Sequence, residues 1–201
     1  MTLVDIVIAV AATPWVYALL AVLLVVDGFF PFVPGETYVV TLSALAAAHS
    51  GPQWYTVLIV AVVATILGDG LAFLVGRRIG ITRWSWMRRP RVTRAFAWAA
   101  RGLARRPAAF FLTAKFVPIG RVAVTMTAGA TGFPVRRYLP LSIAASSIYT
   151  IYHVVLGYTA GTWFADNPLL GVGVSICVVL LVGLAVDTVV GMRQRVALRR
   201  G

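Results

Sequence analysis

The chain has 201 residues, 60% of them hydrophobic and only 12% charged, with a formal net charge of +12. Soluble domains run at roughly 45–50% apolar and roughly 25% charged, so a water-soluble fold is excluded: there are too few charges to cover its surface. In a soluble protein, 18 bases against six acids would suggest nucleic acid. Here no zinc spacing, helix-turn-helix or RNA-binding signature accompanies them, so no nucleic-acid partner is expected, and the bases serve topology and anionic headgroups instead.

Residues 2–12 are apolar but short, and no Lys or Arg precedes them as in a signal peptide, so no cleavage is expected. A first span of the required ~20 residues covers Pro14 to Phe30 and carries Asp27 near its end. Residues 31–48 are apolar but open PFVPGE, with Glu36 behind Pro34-Gly35. The second span, Trp54 to Gly76, contains Asp69 in the tripeptide GDG. Residues 77–106 then hold ten arginines. Within them, Pro90 and Pro107 bracket a helix with Arg91, Arg94, Arg101 and Arg105 on one stripe and Phe96, Ala99, Ala100 and Leu103 on another. With Trp84, Trp86 and Trp98 nearby, the pattern predicts an amphipathic helix on the inner leaflet, the alternative being a solvated loop. Residues 107–134 are a second broken segment, with KFVPIGR at the centre. The third and fourth spans are Tyr138 to Gly161 and Pro168 to Gly191, followed by a basic tail over 192–201. Cys177 is the single cysteine, so no intrachain disulfide can form.

The two broken segments place Pro, Gly and a charge at membrane depth. Freed backbone groups survive there only where protein or a water-filled cavity surrounds them. Both therefore read as re-entrant hairpins, the alternative being kinked full spans. Residues 1–76 contain no Lys or Arg, whereas 77–106 and the tail are basic. The positive-inside rule puts both basic regions, and with four crossings both termini, in the cytoplasm. The expected fold is thus an all-α membrane protein, one domain over 1–201, with four transmembrane helices, two oppositely entering hairpins and a cytoplasmic amphipathic segment.

The hairpins echo each other. Phe32-Val33-Pro34-Gly35-Glu36 with Thr41-Leu42-Ser43-Ala44 parallels Phe116-Val117-Pro118-Ile119-Gly120-Arg121 with Thr125-Met126-Thr127-Ala128. Similar broken segments entering from opposite faces form an inverted repeat, the device by which many transporters build a midplane site. The echo sets Glu36 against Arg121 with opposite charge.

A charge at the bilayer centre costs ~2.5–3.5 kcal/mol on an insertion scale, so Asp27, Glu36, Asp69, Lys115 and Arg121 need a reason. One reading is a set of ion pairs that holds the fold. The other is an anion site: helices restarting at Glu36 and Arg121 offer N–H groups and positive dipole ends, Arg121 a bidentate grip and Lys115 a point charge, and the acids proton uptake. His153, beside Tyr149 and Tyr152, reads as a packed histidine, with a proton relay as the alternative. Gly157-x-x-x-Gly161 reads as a helix contact.

Two blocks resemble the DedA family, also called SNARE-associated or VTT-domain membrane proteins. One is Asp27-Gly28 with PFVPGE and, later, GDGLAFLVGRRIG. The other is AKFVPIGRVAVTMTAGATGFPVRRYLPLSIAASSIY followed by GYTAG. The resemblance implies a transporter of lipid phosphates in the bacterial inner membrane, chiefly undecaprenyl phosphate, with two facing hairpins. It implies phosphate binding at Lys115 and Arg121, and charge compensation at Asp27 and Glu36, to which the position of Asp69 adds a third acid. The chain departs from the family in Asp27, shorter than the usual Glu, and in Lys115, where Arg is common. The expected partners are a lipid phosphate or phospholipid, anionic inner-leaflet lipids and protons, with a homo-oligomer also compatible. No metal, cofactor or enzymatic activity is expected. The rival readings are an energy-independent phospholipid scramblase, a membrane lipid phosphatase and a structural membrane protein.

Overall fold

The computed structural model describes residues 13–30, 33, 35–47, 52–80, 85–164, 173–174 and 177. Among these residues there are seven α-helices and no strand. They are α1 Trp15–Asp27, α2 Gly35–Ala47, α3 Trp54–Ile79, α4 Pro90–Arg105, α5 Pro107–Ala114, α6 Pro118–Ala130 and α7 Val135–Trp163, with a 3-10 turn at Ser85–Arg88 between α3 and α4. The expected fourth span, apart from residues 173–174 and 177, and the basic tail lie outside the described residues.

Two helices, α3 of 26 residues and α7 of 29, are long and apolar enough to cross a membrane. At 1.5 Å per residue they reach about 39 and 44 Å, beyond the ~30 Å hydrocarbon core. The 13 residues each of α1, α2 and α6 reach only about 20 Å.

The long helices are inside out by the standards of a soluble protein. Ile59, Val63, Leu67, Leu71 and Leu74 form the exposed face of α3, while Ala61, Ala64, Thr65, Gly68, Asp69 and Gly76 are buried. In α7, Leu139, Ile143, Ile148, Ile151 and Val155 are exposed, while Ser142, Ser146, Tyr149, His153 and Gly157 are buried. A greasy outer face with small and polar residues inside suits lipid, where close backbone approach drives helix association in place of the hydrophobic effect.

Two extensive helix pairs organise the rest: α2 packs along α7, and α6 packs along α3. Both contacts need glycine. A Cβ on Gly157 or Gly161 would run into the backbone of Val40 or Ala44 on α2, and a Cβ on Gly76 into the backbone of Met126 on α6. The Gly157-x-x-x-Gly161 pattern is therefore a packing contact.

The helix α4 forms where Pro90 at the first turn predicts it. Arg94, Arg101 and Arg105 are exposed on one side. The opposite face does not lie free on a leaflet, as the amphipathic pattern suggested. Phe96, Ala99 and Leu103 are buried in a cluster with Phe73, Val122, Ala123 and Met126. Trp98 packs on Phe110 with ring centroids 4.4 Å apart. The apolar stripe is thus spent on α6, and only the arginine side is available to headgroups.

Candidate functional site

The five charges expected at membrane depth converge, and four of them are sealed: Asp27 is 2% exposed, Asp69 4%, Lys115 5% and Arg121 5%. The Glu36 side chain is 28% exposed.

Each sits at a break or a close crossing. Asp27 ends α1, where the next residue, Gly28, lies so near Gly68 of α3 that a Cβ would stand 2.7 Å from its carbonyl carbon. The approach carries the Asp27 carboxylate into the bundle. Glu36 lies in the first turn of α2, the end that favours a carboxylate. Lys115 caps the C-terminus of α5, the end that favours a cation. Tight turns, Phe116 N–H to Thr113 O at 3.3 Å and Val117 N–H to Ala114 O at 3.1 Å, close that helix before Pro118 opens α6. Arg121 then falls in the first turn of α6, where the dipole disfavours a cation. It is held there by acids.

The pairing divides the charges into two groups. Arg121 forms an ion pair with the Asp27 carboxylate, donates to the Asp27 backbone carbonyl at 2.6 Å and to Glu36 Oε1 at 3.1 Å. Tyr149 of α7 donates its hydroxyl to the same Glu36 oxygen. Lys115 pairs with Asp69 of α3, and Ser146 of α7 donates to that carboxylate at 2.9 Å. Asp27 and Glu36 thus both serve Arg121, and Asp69, the third acid, serves Lys115 alone. The reason is the register of α6 on α3, which sets the α5–α6 break against Asp69 and turns Arg121 toward α1 and α2.

Both departures from the family pattern are accommodated. The shorter Asp27 still meets Arg121, and the point charge of Lys115 needs only one carboxylate. Arg121 Nε is buried with no hydrogen-bond partner among the described residues, so the guanidinium keeps a donor in reserve.

Two small cavities, each about 10 Å³, flank Arg121. One is lined by Asp69, Lys115, Thr125 and Ser142, the other by Glu36, Thr65, Tyr149 and His153. Each has room for about one water, and neither for a phosphate group.

Tyr149, Ser142 and Ser146 were not singled out as site residues from the sequence. A signal was present: Ser142, Ser146, Tyr149 and His153 follow one another at spacings of four, three and four, a polar stripe on one face of an apolar helix.

A helical bundle with exposed apolar faces, two helices long enough to cross a bilayer and a sealed cluster of opposed charges fits a membrane protein. Residues 33–159 match the VTT domain, well over half of the chain, and the chain belongs to this family, the DedA-type membrane proteins. It is similar to Protein DedA of Escherichia coli K12, 24% identical over 174 residues, 83% of this chain and 80% of the relative. It is similar, too, to Undecaprenyl phosphate transporter A of Staphylococcus aureus, 24% identical over 159 residues, 74% of this chain and 75% of the relative. A protein of Lactococcus lactis named alkaline phosphatase-like protein is 24% identical over 173 residues, 80% of this chain and 78% of the relative. No solved structure matches the chain significantly.

Proposed function

We propose that the chain translocates an anionic lipid, undecaprenyl phosphate, across the bacterial inner membrane, coupled to protons. The observation that carries this reading is Arg121. A buried guanidinium compensated by two carboxylates, with one donor unused, is suited to exchanging its carboxylates for a phosphate. The name of the Staphylococcus aureus relative supports the choice of lipid.

In this reading the residues 31–48 and 107–134 are re-entrant hairpins that enter from opposite faces among four crossings, with both termini cytoplasmic. The charges offset one another in part, three acids against two bases. A lipid phosphate competes for Arg121 and Lys115 while protons neutralise Glu36, Asp27 and Asp69. The cavities beside Arg121 are too small for the headgroup, so loading requires the hairpins to move against α3 and α7. The polyprenyl tail stays in the bilayer, and alternate rocking exposes the headgroup to one side and then the other.

The reading is non-enzymatic. The hydroxyl of Ser146 is engaged with Asp69, that of Ser142 with Tyr138, and Nδ1 of His153 with the Tyr149 carbonyl. Among these groups neither serine hydroxyl donates to His153, the base a serine nucleophile would use.

The test is a flipping assay in proteoliposomes that compares undecaprenyl phosphate with phosphatidylethanolamine, with and without a pH gradient. Gradient-accelerated movement of undecaprenyl phosphate alone is expected. Equal movement of both lipids, indifferent to the gradient, would make the chain a scramblase. Release of inorganic phosphate would make it an enzyme.

A further inference from the structure

The echo between the two halves extends further than the hairpins. Thr41 and Thr125 are 84 positions apart, and the same interval carries Asp69 of α3 onto His153 of α7. The hairpin residues Glu36 and Arg121 exchange sign between the halves, and so do the span residues: an acid in α3, a base in α7. Asp69 sits beside a cation, Lys115. His153, at the matching place, lines a cavity with Glu36.

His153 is buried, 4% exposed. Its Nδ1 lies 2.8 Å from the carbonyl oxygen of Tyr149. A carbonyl can only accept, so Nδ1 carries a proton and Nε2 is the nitrogen left to gain or lose one. The ring is wedged between Tyr149 and Tyr152, with centroids at 4.4 and 5.0 Å, which fixes its orientation. The charged and titratable groups around it are few. Glu36 comes from α2, Arg121 from α6, and Tyr149 and Tyr152 from its own helix, while α3 supplies only Thr65 to the shared cavity. Lys115, at the α5–α6 break, lies 5.8 Å from the Tyr149 ring centroid. Glu36 is the most exposed of the three paired acids.

We propose that His153 is the proton partner of Glu36, exchanging a proton between Nε2 and the carboxylate through the cavity they share. The transfer is balanced: imidazolium becomes neutral imidazole, and carboxylate becomes carboxylic acid. A protonated Glu36 no longer pairs with Arg121, whose Nη1 then joins the unpartnered Nε as a donor for a phosphate while Asp27 keeps its contacts. A protonated His153 keeps Glu36 ionised and the Arg121 pair closed. His153 is thus a positioning residue for the proton, and the inference rests on the transport reading above.

The experiment uses full-length protein in proteoliposomes, with undecaprenyl phosphate as the probe, in two modes: exchange at equal pH and transport driven by a pH gradient. The variant is His153→Asn, whose amide nitrogen can still donate to the Tyr149 carbonyl. The expected result is exchange within about twofold of wild type with at least a tenfold loss of the gradient-driven component, a loss that adds nothing to that of Glu36→Gln when the two are combined. A gradient response equal to wild type in His153→Asn overturns the inference, as does a wild type whose transport ignores the gradient. If His153→Asn loses both modes, His153→Gln decides. Exchange without gradient response supports the proposal, whereas recovery of both modes, or loss of both again, makes His153 structural and overturns it. A wild type that moves no undecaprenyl phosphate in either mode refutes the transport reading itself, a different outcome from all of these.

Discussion

Arg121 and Asp27 are 94 positions apart in sequence, and the guanidinium of one holds both the carboxylate and the backbone carbonyl of the other. The second contact ties Arg121 to the last residue of α1, so the charge cluster also joins α6 to α1. Removing the arginine leaves Asp27 as an uncompensated charge in a sealed place, and breaking a buried pair in this way typically costs ~3–5 kcal/mol.

Arg121→Lys tests the fork geometry. A lysine keeps the charge but cannot reach two carboxylates and a carbonyl from one planar group. Transport in proteoliposomes should fall at least tenfold on the reading above, with a lower melting temperature in detergent. Wild-type transport would remove Arg121 from the phosphate site.

Lys115 and Asp69 separate structure from function. Asp69→Asn or Lys115→Met alone strands a buried charge, and each should destabilise by ~3–5 kcal/mol. The double variant removes both charges and should recover most of that loss, read as detergent melting in a double-mutant cycle. Transport should stay absent in every variant lacking Lys115. A double variant that transports normally would make the pair a structural device alone.

Tyr149→Phe keeps the ring between Phe116 and His153 and deletes the hydroxyl on Glu36. A hydrogen bond to a charged group contributes ~1.5–3 kcal/mol, so a stability loss of about that size is expected in chemical unfolding. No change would place the Glu36 carboxylate elsewhere.

Glycines in one helix should behave oppositely. Gly76→Ala drives a Cβ into the Met126 backbone, while a Cβ on Gly70 meets nothing within 4 Å. The first should lose ~1–3 kcal/mol, the usual cost of overpacking. The second should be neutral or gain up to ~1 kcal/mol from helix propensity. Melting both side by side checks the α3–α6 crossing.

Orientation is checked with cysteines in a Cys177→Ser background. Ser50→Cys should react with an impermeant maleimide from outside intact cells, and Arg94→Cys only after lysis. Labelling of both from one side would contradict the four-crossing arrangement.

The sequence made the charges legible because each is expensive at membrane depth, and the helix breaks legible because Pro and Gly cannot hide there. It could not tell which acid serves which base. That choice belongs to the register of α6 on α3, set by backbone contacts at Gly76 and Gly129 rather than by the local residues. The helix α4 shows the other limit. A leaflet and a protein surface ask for the same apolar stripe, so Phe96, Ala99 and Leu103 announced burial without naming what would cover them. The polar stripe of α7 was readable by period, but only its neighbours make Tyr149 a Glu36 donor and Ser146 an Asp69 donor.

The most extensive contacts join elements from different halves of the chain: α2 lies on α7, and α6 lies on α3. Each half therefore closes part of the other's interior. Like two clasped hands, each supplies what the other encloses, and a nick in the arginine-rich stretch between them should leave two fragments that hold together, whereas either fragment made alone should find its glycine grooves unfilled.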